Sequence, residues 1–148
     1  MRYTILIVDD EEAIHRLLTR FLERVTRHTF TVHSAENGKK GVEMYGKLAS
    51  EGHKLDLVLM DLRMPVMDGA EATRRIIENY PKANIYLFTA YARTDMEIDA
   101  LKAGAKGTVS KYSDWNWTMG TIIDILEGGM EVGRQRSENR SQKTEIRK

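Results

Sequence analysis

The sequence has 148 residues, of which 41% are hydrophobic, and a formal net charge of +1. This length predicts one domain that buries a core of its own. The sequence contains no cysteine, which excludes disulfide bonds and thiolate metal sites.

Short apolar runs rich in β-branched residues alternate with segments that carry an apolar residue every three or four positions. The runs predict five strands, at residues 3–8, 29–33, 55–60, 84–90 and 106–110. The remaining segments predict five helices, at about residues 14–25, 37–50, 70–79, 94–104 and 114–127. Such alternation predicts an α/β fold of the flavodoxin-like type: a five-stranded parallel sheet in the order 2-1-3-4-5, with helices on both faces.

The predicted domain covers residues 1–130. Basic residues outnumber acidic residues only after residue 133, so we expect residues 131–148 to be a basic polar tail or the start of a linker. The mildly acidic body predicts no direct contact with nucleic acid. The first apolar run is too short for a signal peptide, and no window suits a membrane span. We therefore expect a cytoplasmic location and no membrane partner.

Acidic residues stand at the ends of two predicted strands. Asp9 and Asp10 follow the first strand and Asp61 follows the third, which are neighbours in the order 2-1-3-4-5. We expect the three carboxylates to converge, and their repulsion favours a divalent cation such as Mg²⁺, which prefers oxygen ligands. An alternative stays open for Asp9 and Asp10, which could simply favour the start of the following helix.

Thr89 and Lys111 end the fourth and fifth strands and should reach the same edge of the sheet. A hydroxyl and an ammonium beside a metal ion can hold the oxygens of a phosphoryl group. Taken singly, Thr89 is an ordinary strand residue and Lys111 an ordinary surface charge. Their order after Asp61 favours the functional interpretation.

Four motifs together resemble the receiver domain of bacterial response regulators, the CheY-like family of two-component signal transduction. The motifs are "IVDDEE" with Asp9 and Asp10, "MDLRMPVMDG" with Asp61, "FTAY" with Thr89 and "GAKGTVSK" with Lys111. The resemblance covers about residues 2–129. Each motif alone is weak, but the four occur in order and each lies at a strand end.

The resemblance implies that Asp61 accepts a phosphoryl group from a sensor histidine kinase or a phosphotransfer protein. Asp61 would act as the nucleophile and form an acyl phosphate. Asp9, Asp10, Asp61 and the backbone carbonyl of Arg63 would hold Mg²⁺, for which Mn²⁺ would substitute.

Thr89 and Lys111 would then bond the phosphoryl oxygens, which implies a shift of the surface formed by helix 4, strand 5 and helix 5. That surface would signal to a target protein or to an output domain beyond this sequence, and it would also suit a homodimer. The family implies a signalling domain, not a conventional enzyme, that supports its own phosphorylation and slow dephosphorylation.

Two positions depart from the family pattern. Thr108 stands three residues before Lys111, where the family usually has an aromatic residue. One hypothesis is that Tyr91 or Tyr112 supplies the aromatic side chain that responds to phosphorylation. The other is that the output surface changes without an aromatic residue. Tyr112 also replaces the usual proline after Lys111, and a non-proline cis peptide costs about 2.5–4 kcal/mol. We therefore predict a trans Lys111–Tyr112 peptide.

Three rival classes can be compared with the same motifs. A haloacid dehalogenase would need a second acid two residues after the nucleophile, where this chain has Arg63. An FMN-binding flavodoxin would need a phosphate loop rich in Ser, Thr or Gly after strand one, where this chain has "DDEEA". A pseudo-receiver that only binds partners would usually have lost the acids, which are intact here.

Overall fold

The computed structural model describes residues 1–90, 93–112 and 114–128 of the chain. The chain divides into two units, Met1–Lys111 and Tyr112–Lys148. The described part of the first unit contains β1 (Arg2–Val8), α1 (Glu12–Glu23), β2 (Thr29–Ala35), α2 (Gly38–Ser50), β3 (Leu57–Met60), α3 (Gly69–Asn79), β4 (Ile85–Thr89), α4 (Asp95–Ala103) and β5 (Thr108–Ser110). The described part of the second unit contains α5 (Trp115–Gly128). Tyr91 and the predicted tail at 131–148 lie outside the described residues.

The strands form one parallel sheet in the order β2-β1-β3-β4-β5. The predicted α/β class and the flavodoxin-like strand order are therefore confirmed. Every residue of β3 and β4 is buried, as expected for central strands that are covered on both faces. β2 is an edge strand, and most of its residues are only partly covered.

Side-chain alternation along β1 separates the two faces of the sheet. Leu6 and Val8 belong to a core cluster that includes Tyr45 from α2, Ile76 from α3 and Ala100 from α4. The residues that alternate with them are also fully buried and point to the other face. Helix α1 contacts β2 and buries three residues that are not part of that cluster: Ile14, Leu18 and Leu22.

Side-chain caps set the starts of three helices. Asn37 accepts a hydrogen bond from the Lys40 amide before α2, at 2.8 Å. Thr94 accepts one from the Glu97 amide before α4, at 3.2 Å. Asp68 caps α3 in the same way. Such caps satisfy amides that have no partner within the helix.

The connection into the second unit agrees with the sequence prediction. The Lys111–Tyr112 peptide is trans, since the described residues contain no cis bond. Tyr112 has a left-handed backbone with φ 63°, and its side chain is exposed. Asp114 then accepts a hydrogen bond from the Asn116 amide at 2.9 Å as α5 begins. None of the described helices is long and apolar enough to cross a membrane.

Candidate functional site

The strand register brings Asp9 and Asp61 to the same edge of the sheet. Val8 of β1 is paired with Met60 of β3, and the two acids are the next residues of these strands. The Asp61 amide donates a hydrogen bond to the Val8 carbonyl at 2.9 Å, so the acids leave the sheet side by side. Asp9 is 1% exposed and Asp61 is 3% exposed. The predicted convergence of these two carboxylates is thus present.

Lys111 follows β5 and turns its ammonium toward these acids. Its backbone amide donates to the Thr89 carbonyl at 3.0 Å, which fixes the start of the side chain beside β4. The ammonium Nζ lies close to three carboxylate oxygens: Asp9 Oδ2 at 2.7 Å, Glu11 Oε1 at 2.9 Å and Asp61 Oδ2 at 3.0 Å. Because Lys111 is only 4% exposed, this pairing compensates for the loss of water around its charge.

The pKa values of Asp9 and Lys111 are both raised, and burial and charge pairing are the causes. Burial raises the pKa of Asp9, and the attraction of Lys111 only partly offsets this rise. Burial alone would lower the pKa of Lys111, but its hydrogen bonds to Asp9 and Glu11 and the neighbouring negative charges raise it overall. Lys111 therefore keeps its charge beside the three carboxylates.

Glu11 is the site residue that the sequence analysis missed. It is the N-cap residue of α1, but its side chain makes no capping hydrogen bond and instead reaches Lys111. Among the described residues, the acids that could hold a metal ion are Asp9, Glu11 and Asp61, whose carboxylate oxygens lie within 4.8 Å of one another. The available signal was the third acid of "DDEE", but acids at a helix start are common without such a role.

The other predicted site residues occupy different positions. Asp10 is exposed, lines a groove of about 1450 Å³ along α1 and α2, and is not one of the three acids of the cluster. Arg63 is exposed in the loop after β3. Thr89 is the last residue of β4 and is fully buried. Metal binding by Asp10 and by the Arg63 carbonyl stays a prediction, as does the role of Thr89.

The capping alternative for the acidic pair is not seen for Asp9. Its Oδ1 accepts a hydrogen bond from the Glu11 amide at 2.9 Å, which lies before the first helical residue. Its other oxygen faces Lys111. Asp9 therefore shapes the turn between β1 and α1 and faces the pocket at the same time.

The loop from 61 to 69 holds Asp61 in place. The Leu62 amide donates to Asp61 Oδ1 at 2.8 Å, and the Gly69 amide donates to the Leu62 carbonyl at 2.8 Å. A Cβ atom on Gly69 would lie 2.0 Å from the Asp61 carbonyl oxygen, so any larger residue would displace the backbone of the acid. The glycine that ends "MDLRMPVMDG" thus lets the loop close against Asp61.

The tip of this loop is a γ-turn. The Met67 amide donates to the Pro65 carbonyl at 2.7 Å, and Val66 between them has φ 72° and is 77% exposed. This left-handed conformation is unfavourable for a β-branched residue. The Met67 carbonyl in turn accepts a hydrogen bond from the Gly38 amide at 3.2 Å, which joins the tip of the loop to the start of α2.

The donor set of the cluster fits a hard divalent cation such as Mg²⁺. All the candidate ligand atoms are carboxylate oxygens. Three carboxylates face one ammonium, so negative charge is in excess when all are ionised. Asp9 Oδ2 is buried and lies 2.7 Å from Lys111 Nζ, so a cation bound there would share this oxygen with the ammonium.

Comparison with known proteins identifies the family. Residues 5–121 match the family described as response regulator receiver domain. The chain belongs to this receiver family. It is 36% identical over 126 residues to the chemotaxis protein CheY of Halobacterium salinarum, which covers 85% of this chain and 98% of that protein. It is also 34% identical over 110 residues to the regulatory protein AtoC of Escherichia coli, covering 74% of this chain and 22% of AtoC.

The receiver fold is also seen in solved structures. A chain of the CheX-CheY-BeF3-Mg²⁺ complex from Borrelia burgdorferi has a TM-score of 0.72 and 25% identity, and it covers 84% of this chain and 89% of that chain. Receiver domains belong to two-component signalling, so membership decides against the haloacid dehalogenase and flavodoxin classes. This receiver spans almost all of one relative and only about a fifth of another.

Proposed function

We propose that Asp61 of this receiver accepts a phosphoryl group from the phosphohistidine of a sensor histidine kinase or a phosphotransfer protein. The observation that carries the proposal is the placement of Asp61, buried at the end of β3 with Oδ2 3.0 Å from Lys111 Nζ. A carboxylate oxygen attacks phosphorus while the bond from phosphorus to the histidine nitrogen breaks. The nitrogen keeps the electron pair and takes a proton, and Asp61 becomes an acyl phosphate.

The residues around Asp61 prepare it for this transfer. The Leu62 amide binds Oδ1 and so fixes the plane of the carboxylate, which leaves Oδ2 facing Lys111. The ammonium of Lys111 neutralises part of the negative charge and is close enough to pair with a phosphoryl oxygen. We assign the Thr89 hydroxyl, at the end of the adjacent strand, to another phosphoryl oxygen. The chain thus positions the reactants, as phosphoryl transfer mainly requires.

Asp9 and Asp61 are the side chains that we assign to Mg²⁺, with Asp10 and the Arg63 carbonyl as further predicted ligands. The cluster geometry and the presence of three carboxylates around one ammonium support the first two. When bound there, Mg²⁺ supplies positive charge beside the phosphoryl oxygens. Mn²⁺ takes the same oxygen ligands and is expected to substitute for it. The receiver itself then supports its own phosphorylation and slow dephosphorylation.

The proposed output surface is the one that the resemblance implies, made by helix 4, strand 5 and helix 5. In α4, Ile98 is 47% exposed and Leu101 is 39% exposed, and their spacing of three puts them on one face. Exposed apolar side chains of this kind suit a protein contact. We propose that phosphorylation changes this surface, which then binds a target protein, an output domain or a second copy of the receiver.

The wider setting of this receiver is also a proposal. Its relatives include a protein that it covers almost completely and a much longer regulator. Either a stand-alone role through protein contacts or a connection to an output domain would suit it. We assign residues 1–130 to the receiver and residues 131–148 to a tail or linker, and the cytoplasmic location rests on the family.

Labelling with acetyl phosphate tests the proposed phosphoacceptor. With Mg²⁺ present, intact-protein mass spectrometry should show one added phosphoryl group on the wild type and none on Asp61→Asn. EDTA should abolish the labelling. Asp99→Asn is a matched control, since Asp99 is an exposed acid of α4 and should leave labelling unchanged. Equal labelling of wild type and Asp61→Asn would contradict the assignment.

A further inference from the structure

Thr108 occupies the position at which the receiver family usually has an aromatic residue, and it makes a specific polar contact. It is the first residue of β5, and its hydroxyl donates a hydrogen bond to Glu97 Oε2 at 2.8 Å. Glu97 lies in the first turn of α4. Both residues are half-buried. The contact therefore joins β5 to α4 through a charge-assisted hydrogen bond that is partly shielded from water.

The second oxygen of Glu97 binds the connection between β4 and α4. Glu97 Oε1 accepts a hydrogen bond from the Arg93 amide at 3.0 Å. Arg93 has a left-handed backbone with φ 63°, which a non-glycine residue adopts only when its surroundings hold it there. A single carboxylate thus contacts β5 on one side and this connection on the other.

The same connection begins directly after Thr89, the residue assigned to the phosphoryl group. Arg93 is four positions beyond Thr89 and two before α4. The Glu97 amide also donates to the Thr94 hydroxyl, so the start of the helix is fixed close to Arg93. If Thr89 moves toward a phosphoryl oxygen, we expect Arg93 to shift relative to β5, because only three residues separate Arg93 from Thr89. Such a shift strains the hydrogen bond to Arg93 or the one to Thr108.

We propose that Glu97 is a positioning residue that latches the connection between β4 and α4 to β5 and opposes the activating movement of Thr89. This inference rests on the proposed function. The latch is formed by Arg93, Glu97 and Thr108, and it stabilises the conformation of the receiver before phosphorylation.

Removing the Thr108 hydroxyl is the first test. Thr108→Val keeps the shape of the side chain and its preference for strands but removes the donor. Because the latch would be lost only from the inactive conformation, the variant should bind a phosphoryl mimic more tightly. Titration of the full chain with beryllofluoride in Mg²⁺, followed by ¹⁹F NMR, should show an affinity gain of about two- to tenfold, the range that one hydrogen bond gives.

Ser110→Ala is the matched control, because Ser110 is an exposed hydroxyl on the same strand. It should leave the affinity for beryllofluoride unchanged. Urea unfolding of both variants checks that the receiver remains folded. A purely structural role of Thr108 would alter unfolding without altering the affinity for the mimic, and that result would overturn the latch.

A double-mutant cycle tests whether Glu97 and Thr108 act together. Glu97→Ala should also tighten binding of beryllofluoride, and adding Thr108→Val to it should give no further gain. Independent, additive gains would overturn the shared latch. Unchanged affinity in every variant, with acetyl phosphate still labelling Asp61 of the wild type, would overturn the latch and leave the proposed function intact. Loss of labelling from the wild type would overturn both.

Discussion

At the scale of single residues, Lys111 has three carboxylate neighbours that differ in their exposure to solvent. The side chains of Asp9 and Asp61 are 1% and 4% exposed, whereas that of Glu11 is 46% exposed. A solvated glutamate leaves an ammonium at little cost, but a buried aspartate does not. We therefore expect Glu11 to release Lys111 first when a phosphoryl oxygen approaches.

Replacing this third acid should weaken cation binding. Glu11→Gln removes one negative charge from the pocket, and we expect the affinity for Mg²⁺ to fall by about three- to tenfold, since the charge is close but partly screened by water. Isothermal titration calorimetry measures the change. Glu12→Gln is the control, because Glu12 pairs with Arg16 on the exposed side of α1. Equal losses of Mg²⁺ affinity in both variants would mean that the net charge of the protein, and not the position of Glu11, determines the affinity.

The residues of the pocket differ in how far the sequence reveals them. Asp9, Asp61 and Lys111 were predictable because strand ends fix their backbones and a parallel sheet gathers those ends at one edge. Glu11 was not, because a long side chain outside a strand can point in many directions. Asp10 shares the motif of Asp9, yet it is exposed, and its part in metal binding stays a prediction.

At the scale of elements, the loop between β3 and α3 depends on one close contact. Gly69→Ala would place a Cβ atom against the Asp61 carbonyl, and such overpacking costs about 1–3 kcal/mol of the free energy of unfolding. The same change should slow phosphorylation of Asp61 by acetyl phosphate, because it displaces the backbone of the acceptor. Urea unfolding and labelling rates measure the two effects.

Gly46→Ala in α2 is the matched comparison for this prediction. A Cβ atom there would meet nothing closer than the Tyr80 hydroxyl at 3.8 Å, so alanine fits. In a helix interior it should raise the free energy of unfolding by about 0.5–1 kcal/mol and leave labelling unchanged. Destabilisation by both alanines would contradict the packing argument at Gly69.

The bounds of the elements were predictable to within about two residues, because apolar periodicity and polar caps both mark them. The contact between Thr108 and Glu97 was not predictable. Periodicity shows that α4 and β5 exist, but it does not give the rotation of the helix that brings Glu97 to the strand. The hypothesis that Tyr91 takes the role of the missing aromatic residue also stays a prediction, because Tyr91 lies outside the described residues.

At the scale of the whole molecule, the parallel sheet gathers three carboxylates around one ammonium, and a bound cation would balance the remaining negative charge. Mg²⁺ should therefore raise the stability of the receiver. At about a hundred times its Kd, it should raise the free energy of unfolding by about 2.7 kcal/mol. Asp61→Asn removes one acid and should reduce this gain, as measured by thermal unfolding with and without Mg²⁺. Equal gains in both proteins would place the cation elsewhere.

The γ-turn at Val66 has a consequence for the entropy of phosphorylation. A β-branched residue held at φ 72° has few alternative conformations, and the next residue, Met67, is anchored by the Gly38 amide. This part of the loop between β3 and α3 is therefore ordered before any phosphodonor arrives, and we expect it to lose little conformational freedom on encounter. A glycine at this position would relieve the backbone strain, but it would also increase the number of backbone conformations that the loop can adopt.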